Sequence, residues 1–362
     1  MDFGATELFM LVGFLLAAYS IVANDAIQTL GTFLSSNAER PWWVLWLYAC
    51  SILTVVVIYG WIVNGGDPAY GRLEKFPEPD GHINWFHCIP PIILLILTRF
   101  GIPVSTTFLV LTVFAPTNLS SMLEKSLLGY AVAIVVGLVL FAAISRFVEK
   151  QFMDTRDTEP GFGWVLFQWA STAFLWSQWL IQDLANIFVY LPRTVGFELV
   201  LMALVVMLAL HAIIFKNRGG RIQGIVLSKT NTTDIRAASF IDISYGLVLM
   251  VFKEMSNIPM STTWVFLGML AGREIALALM LNHRRVGEAA KNAGSDLAQA
   301  GVGLAISVAL ALGLPPLSSW IAGGDSAQTH TKSQADSQPV PRQTPRHLDP
   351  ALATTGLLGP QQ

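Results

Sequence analysis

Charged residues are scarce in this chain of 362 residues. Asp, Glu, Lys and Arg make up only 13% of it and apolar residues 53%, whereas soluble domains are about 25% charged. This scarcity excludes a soluble globule, a disordered chain and a coiled coil. With 22 basic and 24 acidic residues there is also no basic surface for nucleic acid. The class that remains is a polytopic membrane protein, whose surroundings are the lipid bilayer.

Cysteine is almost absent as well. Cys50 and Cys88 lie far apart in apolar segments and form no metal-binding or redox motif. No nucleophile–base pair or metal-ligand set is visible, so an intramembrane enzyme is the weakest alternative and no cofactor is predicted. The first residues carry Asp2 and Glu7 instead of the basic cluster of a signal peptide. We therefore expect the first apolar run to stay in the membrane.

Long apolar stretches are abundant, and about 20 residues suffice to cross a bilayer. They predict ten α-helical membrane segments in two sets of five: 8–36, 42–63, 85–100, 102–117 and 126–147, then 164–190, 197–215, 237–256, 258–280 and 297–321. The predicted organisation is a first repeat over 1–150, a second over 151–321 and a disordered tail over 322–362. The tail is rich in Gln, Ser, Pro and Thr and lacks an apolar period.

Two polar motifs recur between the sets at nearly one spacing. NDAIQ at 24–28 is matched by QDLAN at 182–186, and IPVSTT at 102–107 is matched by IPMSTT at 258–263. The two aspartates, 25 and 183, are 158 residues apart, and the two serines, 105 and 261, are 156 apart. This recurrence indicates an internal duplication, which is a common transporter architecture.

Lysine and arginine in the loops predict the orientation. Loop 216–236 is basic and loop 64–84 is acidic, so the first is expected in the cytoplasm and the second outside. Basic residues in 282–296 place that loop in the cytoplasm too. Five segments per repeat then predict inverted repeats in the plasma (inner) membrane, with both termini outside the cytoplasm.

The first motif pair predicts a cation site. A carboxylate at membrane depth normally faces a cavity or a partner, and an amide three residues later shares its helical face. Asp25 and Asp183 are therefore predicted to bind the coupling ion, either Na⁺ as metal or a proton. The amides predicted to bridge ion and anion are Asn24, Gln28, Gln182 and Asn186. The alternative is a hydrogen bond between helices with no transport role.

The second motif pair predicts an anion site. A proline interrupts each helix, and the Ser and Thr that follow suit a new helix N-terminus. Free N–H groups and the positive dipole end bind anions there, and inverted repeats would bring two such ends to the membrane midplane. The residues are Ser105, Thr106, Thr107, Ser261, Thr262 and Thr263. Ordinary helix capping is the alternative for either motif alone.

Three weaker groups of polar residues remain. One group in the segment of Asp183 either lines a cavity or bonds between helices: Gln168, Ser171 and Thr172. Two residues near segment ends are predicted to be interfacial: Asp242 and His87. Three basic residues near segment ends are predicted to snorkel to the interface: Arg99, Lys253 and Arg273.

These motifs resemble those of the inorganic phosphate transporter (PiT) family. VANDAIQ at 22–28 and IQDLAN at 181–186 are similar to its G-A-N-D-x-A-N signature, and FQWASTA at 167–173 to its glutamine-containing lead-in. Both Pro-x-Ser-Thr-Thr runs match its P-x-S-T-T-H motif except at the last position. The resemblance covers about 6–321. It implies an inverted-repeat transporter that couples phosphate import to Na⁺ or H⁺, with Asp and amide groups holding cation and anion and the Ser-Thr-Thr ends holding the anion.

The sequence departs from the family at four site positions. Phe108 and Trp264 stand where the family has histidine, and Gln28 and Gln182 stand where it has asparagine. A longer side chain reshapes a close-fitting site, so sulfate or another small oxyanion stays open as the substrate. A non-transporting descendant that acts as a membrane sensor or assembly partner also stays open, as does a homodimer.

Overall fold

The computed structural model describes residues 4–78, 83–100, 102, 104–144, 155, 161–220, 223–224, 234–281 and 285–335. Throughout these ranges the regular structure is helical and no strand occurs. The predicted all-α class is therefore confirmed.

Twelve α-helices account for most of the described residues. The first half contains α1 (Ala5–Ile21), α2 (Ile27–Ser36), α3 (Trp42–Val63), α4 (Ile89–Arg99), α5 (Thr112–Phe114) and α6 (Leu119–Ile144). The second half contains α7 (Phe162–Asp183), α8 (Ala185–Phe188), α9 (Phe197–Lys216), α10 (Ile235–Met255), α11 (Thr262–Leu281) and α12 (Val286–Ala335). The π-helical turns are Val22–Ala26 and Thr107–Leu111, and the 3₁₀ turns are Trp85–Cys88 and Pro116–Asn118.

Proline marks the start of several helices in the first half. Pro41 directly precedes α3, Pro90 and Pro91 lie in the first turn of α4, and Pro116 opens the 3₁₀ turn before α6. Proline is tolerated at these positions because the N–H groups of a first helical turn have no intrahelical acceptor.

Seven helical segments of the described chain are long and apolar enough to cross a membrane. They are Ala5–Ser36, Trp42–Val63, Pro116–Ala143, Phe197–Lys216, Ile235–Met255, Thr262–Leu281 and Val286–Ile321. Each corresponds to one of the ten predicted segments. Of the other three, 85–100 is a shorter apolar helix and 102–117 is broken into short turns. The third, 164–190, carries buried polar side chains along α7 and is interrupted at Leu184.

The last helix differs from the predicted end of the membrane region. α12 extends to Ala335 and includes Pro315 and Pro316. Its bounds thus cover 322–335, where the sequence predicts a disordered tail. Residues 336–362 lie outside the described part of the chain. The tail and the boundary between repeats at 150 stay predictions.

Glycines allow α6 and α11 to pack closely. A Cβ added at Gly272 would lie 2.2 Å from the Ile134 carbonyl oxygen, and one added at Gly268 would lie 2.5 Å from that of Tyr130. Small residues permit this approach of two membrane helices. Ser126 of α6 also accepts a hydrogen bond from the backbone N–H of Ser261, at 2.9 Å. The contact fixes the N-terminal end of α11, where the second Ser-Thr-Thr motif lies.

Candidate ion and anion site

Asp25 lies in the π-helical turn between α1 and α2 and is 2% exposed. Such turns interrupt the regular backbone pattern and are frequent at functional sites. The Asn24 amide donates to Asp25 Oδ1 at 2.7 Å, and the Thr106 hydroxyl donates to Asp25 Oδ2. Gln28 donates to Asn24 Oδ1 at 3.2 Å. The first predicted carboxylate thus contacts the first Ser-Thr-Thr motif through Thr106.

Asp183 is the last residue of α7, just before the interruption at Leu184, and is 1% exposed. Its Oδ1 accepts hydrogen bonds from the Asn186 amide at 2.7 Å and from the Thr107 hydroxyl at 3.3 Å. Asp183 Oδ2 and Asn186 Oδ1 are buried and have no hydrogen-bond donor among the described residues. Buried polar atoms normally have partners, so these two oxygens are available to a ligand.

The two Ser-Thr-Thr motifs begin their helices in the same way. Ser105 Oγ accepts from the N–H of Phe108 at 3.3 Å, and Ser261 Oγ accepts from the N–H of Trp264 at 3.2 Å. Each serine is therefore an N-cap that occupies one free donor of the first turn. This capping is the simpler alternative for the two serines. Capping does not involve the hydroxyl groups of the threonines, which make other contacts.

Those threonines join the two motifs reciprocally. Thr107 donates to the carbonyl oxygen of Met260 at 3.2 Å, and Thr263 donates to that of Val104 at 3.5 Å. Val104 and Met260 occupy equivalent positions in the two motifs. Each helix start therefore reaches the residue that precedes the other motif's serine, and the two ends meet.

One buried cluster contains both carboxylates and both helix starts. Asp25 and Asp183 are close enough to repel each other, and Thr107 of the first half reaches Asp183 of the second. The Thr262 hydroxyl lies beside the Asp183 carboxylate. Tyr245, which belongs to neither motif, lies near both carboxylates and donates to the Thr262 carbonyl at 3.0 Å. Nothing in the polar pattern of α10 distinguishes this tyrosine from a core residue.

Gln182 contacts groups other than the adjacent carboxylate. Its amide donates to the Leu249 carbonyl at 3.0 Å, and its Oε1 accepts from the Arg72 guanidinium. Arg72 is 1% exposed, although it lies in loop 64–84, which is predicted to be an acidic loop outside the cytoplasm. The positive charge of Arg72 attracts the Asp183 carboxylate. Burial lowers the pKa of Arg72 to about 10, and Asp183 opposes that shift.

The predictions for Asp242, His87 and Arg273 are wrong, because all three are buried within the protein. Asp242 is 0% exposed and accepts hydrogen bonds from Thr32 at 2.7 Å and Thr172 at 2.6 Å. His87 packs against aromatic rings at the start of α4, and Arg273 lies over the Phe141 ring. Position near a segment end does not reveal which face of a helix is covered by neighbouring helices.

The remaining weaker candidates lie as follows. Gln168 accepts from Asn37 at 2.8 Å and donates to Ser36, so it bonds α7 to the end of α2. Ser171 donates to a carbonyl of its own helix. Arg99 is exposed at the end of α4, and Lys253 pairs with the exposed Glu254 at 2.9 Å. The described residues contain no group of three or more His, Cys, Asp or Glu placed to hold a metal ion.

The fold is similar to that of a solved structure described as "The sodium-dependent phosphate transporter". The two share 16% sequence identity with a TM-score of 0.57, over 86% of this chain and 99% of that one. No protein-family pattern and no curated protein matches the sequence. At this identity the likeness shows the fold, and it agrees with the fold that the resemblance to the PiT family implies. The described residues include seven helices long and apolar enough to cross a membrane, and the chain is an integral membrane protein.

Proposed function

We propose that the chain is a secondary transporter that imports inorganic phosphate together with Na⁺ or H⁺. The observation that carries this proposal is the buried cluster in which Asp25 and Asp183 meet both Ser-Thr-Thr helix starts. The fold it shares with a sodium-dependent phosphate transporter supports the same assignment. The proposal includes a multi-pass location in the plasma (inner) membrane.

Charge explains why a cation would bind together with the anion. The two buried carboxylates repel each other, and the positive charge of Arg72 attracts the Asp183 carboxylate. Two carboxylates and one guanidinium leave a net negative charge that a bound cation or proton would neutralise. Asp183 Oδ2 and Asn186 Oδ1 are the available oxygens, and hard cations prefer oxygen ligands. A bound cation would also reduce the repulsion that an incoming phosphate experiences.

The helix starts supply the groups that an oxyanion needs. The first turns of the Thr107–Leu111 segment and of α11 carry N–H groups without intrahelical acceptors, and the aligned peptide dipoles favour negative charge there. The reciprocal threonine contacts bring these ends together. Two repeats related by an approximate two-fold axis would produce such reciprocal contacts, which supports the inverted-repeat arrangement.

Uptake of labelled phosphate into vesicles that contain the purified chain tests the proposal. We expect uptake to rise when an inward Na⁺ gradient, or alternatively a proton gradient, is imposed, and sulfate to compete weakly. Sulfate uptake that exceeds phosphate uptake would instead assign the other oxyanion. Phe108 and Trp264 are in ring contact at 5.7 Å where the PiT family has histidines, so the site has lost two polar groups. No uptake of either anion under both gradients would favour a non-transporting sensor or assembly role.

A further inference from the structure

A second pocket lies beside the candidate site. Its cavity volume is about 50 Å³, and its walls come from the loop after α3, from Asn118 and from the segment that precedes α11. Glu74 and Lys75 form part of its rim and are exposed. Arg72 forms part of its inner wall, together with Ile258 and Pro259. None of these residues belongs to the predicted ion and anion site.

Arg72 has hydrogen-bond donors that no described group accepts. Its Nη2 donates to Gln182 Oε1 and, at 3.3 Å, to the Ile258 carbonyl, whereas Nε and Nη1 are buried without an acceptor. A guanidinium carries five N–H donors and stays charged. Oxygen atoms that carry negative charge are the strongest acceptors for such donors. The wall of the pocket thus holds a buried cation that lacks the acceptors it would normally have.

Two lysines lie at this pocket, one at its rim and one behind its wall. The Lys125 ammonium donates to the carbonyl oxygens of Ser256 and Ile258, both at 2.7 Å, directly behind the pocket wall. Lys75 lies at the rim, and Glu74 is the acidic residue among the lining side chains. Arg72 in the wall and Lys75 at the rim, against the one exposed carboxylate of Glu74, make the pocket attractive to anions.

The pocket adjoins the cluster through two short connections. Arg72 bonds Gln182, whose neighbour in the chain is Asp183. Ile258 and Pro259 in the pocket wall are followed directly by Met260 and Ser261, which belong to the second helix start. An anion bound at Arg72 would therefore lie next to the residues that are proposed to bind it during transport.

We propose that this pocket is a second oxyanion-binding site, a vestibule in which Arg72 holds inorganic phosphate next to the transport site. The inference rests on the proposed function for its place on the transport route. The ligand class is a free tetrahedral oxyanion. A lipid headgroup carries the same phosphate chemistry, so the test separates the two sources.

Binding of labelled inorganic phosphate to the purified full-length chain in detergent tests the vestibule without requiring transport. Asp183→Asn removes the proposed coupling ligand, and we expect weak, saturable phosphate binding to remain in this variant. Adding Arg72→Gln should lower that remaining affinity about tenfold or more, and Arg72→Lys should lower it less, because the charge is kept. Arg99→Gln, the same change at an exposed arginine of α4, is the matched control and should have no effect.

Lys75→Glu is a second variant, because Arg72→Gln removes a buried contact and could reduce folding. The Lys75 side chain is exposed, so this charge reversal at the rim should leave the fold intact and weaken the remaining binding several-fold.

Unchanged affinity in Lys75→Glu and in every folded Arg72 variant would overturn the vestibule, as would absence of phosphate binding to Asp183→Asn. Displacement of the labelled phosphate by phosphatidylglycerol at concentrations far below those at which unlabelled inorganic phosphate displaces it would assign a lipid site instead. Failure of the proposed function would appear separately, as absence of gradient-driven uptake by the unmodified chain.

Discussion

Asp183 is the residue at which the proposed ion and anion sites meet. One of its oxygens accepts from Asn186 and Thr107, and the other is buried without a donor. Its neighbour Gln182 holds the Arg72 guanidinium. Gln182 and Asp183 together therefore connect the helix break of the second half to the helix start of the first half and to a buried cation.

We predict that Asp183→Asn abolishes gradient-driven phosphate uptake while the protein still inserts into the membrane. The substitution keeps the size of the side chain and removes the charge that a coupling cation needs. Uptake into vesicles is the measurement, and the amount of inserted protein is checked in parallel. Glu254→Gln makes the same chemical change at an exposed carboxylate and should leave uptake unchanged. Normal uptake with unchanged ion dependence in Asp183→Asn would reject its role as a coupling ligand.

Asp242 is predicted to be a structural anchor. Its carboxylate accepts from Thr32 of α2 and Thr172 of α7, so it connects both helices to α10. Asp242→Ala leaves both buried hydroxyls without this acceptor and should lower the free energy of unfolding by roughly 1–3 kcal/mol. Asp242→Asn keeps one acceptor and should cost less. The thermal unfolding midpoint in detergent measures both, and equal stability of both variants and the parent would contradict the anchoring role.

The sequence located some of these residues and missed others for a physical reason. Asp25 and Asp183 stand out because carboxylates are rare in apolar segments and because their motif recurs. Arg72 lies in a loop, where no periodicity distinguishes a buried side chain from an exposed one. Asp242 lies in a helix, but the neighbours that cover it come from α2 and α7, which are distant in sequence. Contacts between distant segments leave no local signal.

At the scale of elements, the two Ser-Thr-Thr helix starts are the features most open to direct test. We predict that Thr106→Val and Thr262→Val each weaken phosphate binding about ten- to a hundred-fold. A hydroxyl bond to an ion is worth roughly 1.5–3 kcal/mol, and valine keeps the shape of threonine while removing that bond. The double variant should depart from additivity, because both residues would contact one ligand or its immediate partners. Phosphate titration of the purified variants measures each affinity.

Helix capping alone gives a different result for the same variants. If the motifs only start their helices, each substitution should lower thermal stability and leave the phosphate affinity of the folded protein intact. The serines already supply the caps, since their side chains accept from Phe108 and Trp264. Ser105→Ala is therefore the control for capping and should lower stability by about 0.5–2 kcal/mol. Unchanged phosphate affinity in both threonine variants would contradict the proposal that the two helix starts form one anion site.

The packing of α11 against α6 yields a prediction that concerns stability alone. In Gly272→Ala the new Cβ would lie 2.2 Å from the Ile134 carbonyl oxygen, so the helices must separate. We expect a loss of about 1–3 kcal/mol, the usual cost of overpacking. Gly301→Ala on α12 is the matched control, because its Cβ would meet nothing within 4 Å. That change should be neutral or stabilise the helix by up to about 1 kcal/mol. Equal unfolding midpoints for the two variants would contradict this close approach.

At the scale of the molecule, the sequence predicted segments better than their interruptions. The bounds of α3 are those predicted from its apolar run, 42–63. The region 102–117 was predicted as one segment, but it consists of a π-helical turn, a short helix and a 3₁₀ turn. Broken backbone within a membrane is tolerated where protein groups satisfy it, and one of those groups, the Thr263 hydroxyl at the Val104 carbonyl, comes from the other half of the chain. Duplication was visible in the sequence, whereas the reciprocal threonine contacts that join the halves were not.

The orientation of the whole molecule follows from the loop charges and can be tested directly. We predict that loop 64–84 and both termini face outward and that loop 216–236 faces the cytoplasm, because basic residues concentrate in the latter. Lys75→Cys and Arg221→Cys supply one reactive thiol each, since Cys50 and Cys88 are buried. In sealed cells an impermeant thiol reagent should label position 75 and should label position 221 only after permeabilisation. If position 221 is labelled from outside, the two repeats are not inverted in the way proposed. If in addition position 75 is labelled only after permeabilisation, the whole molecule is reversed, and the vestibule beside Arg72 would face the cytoplasm.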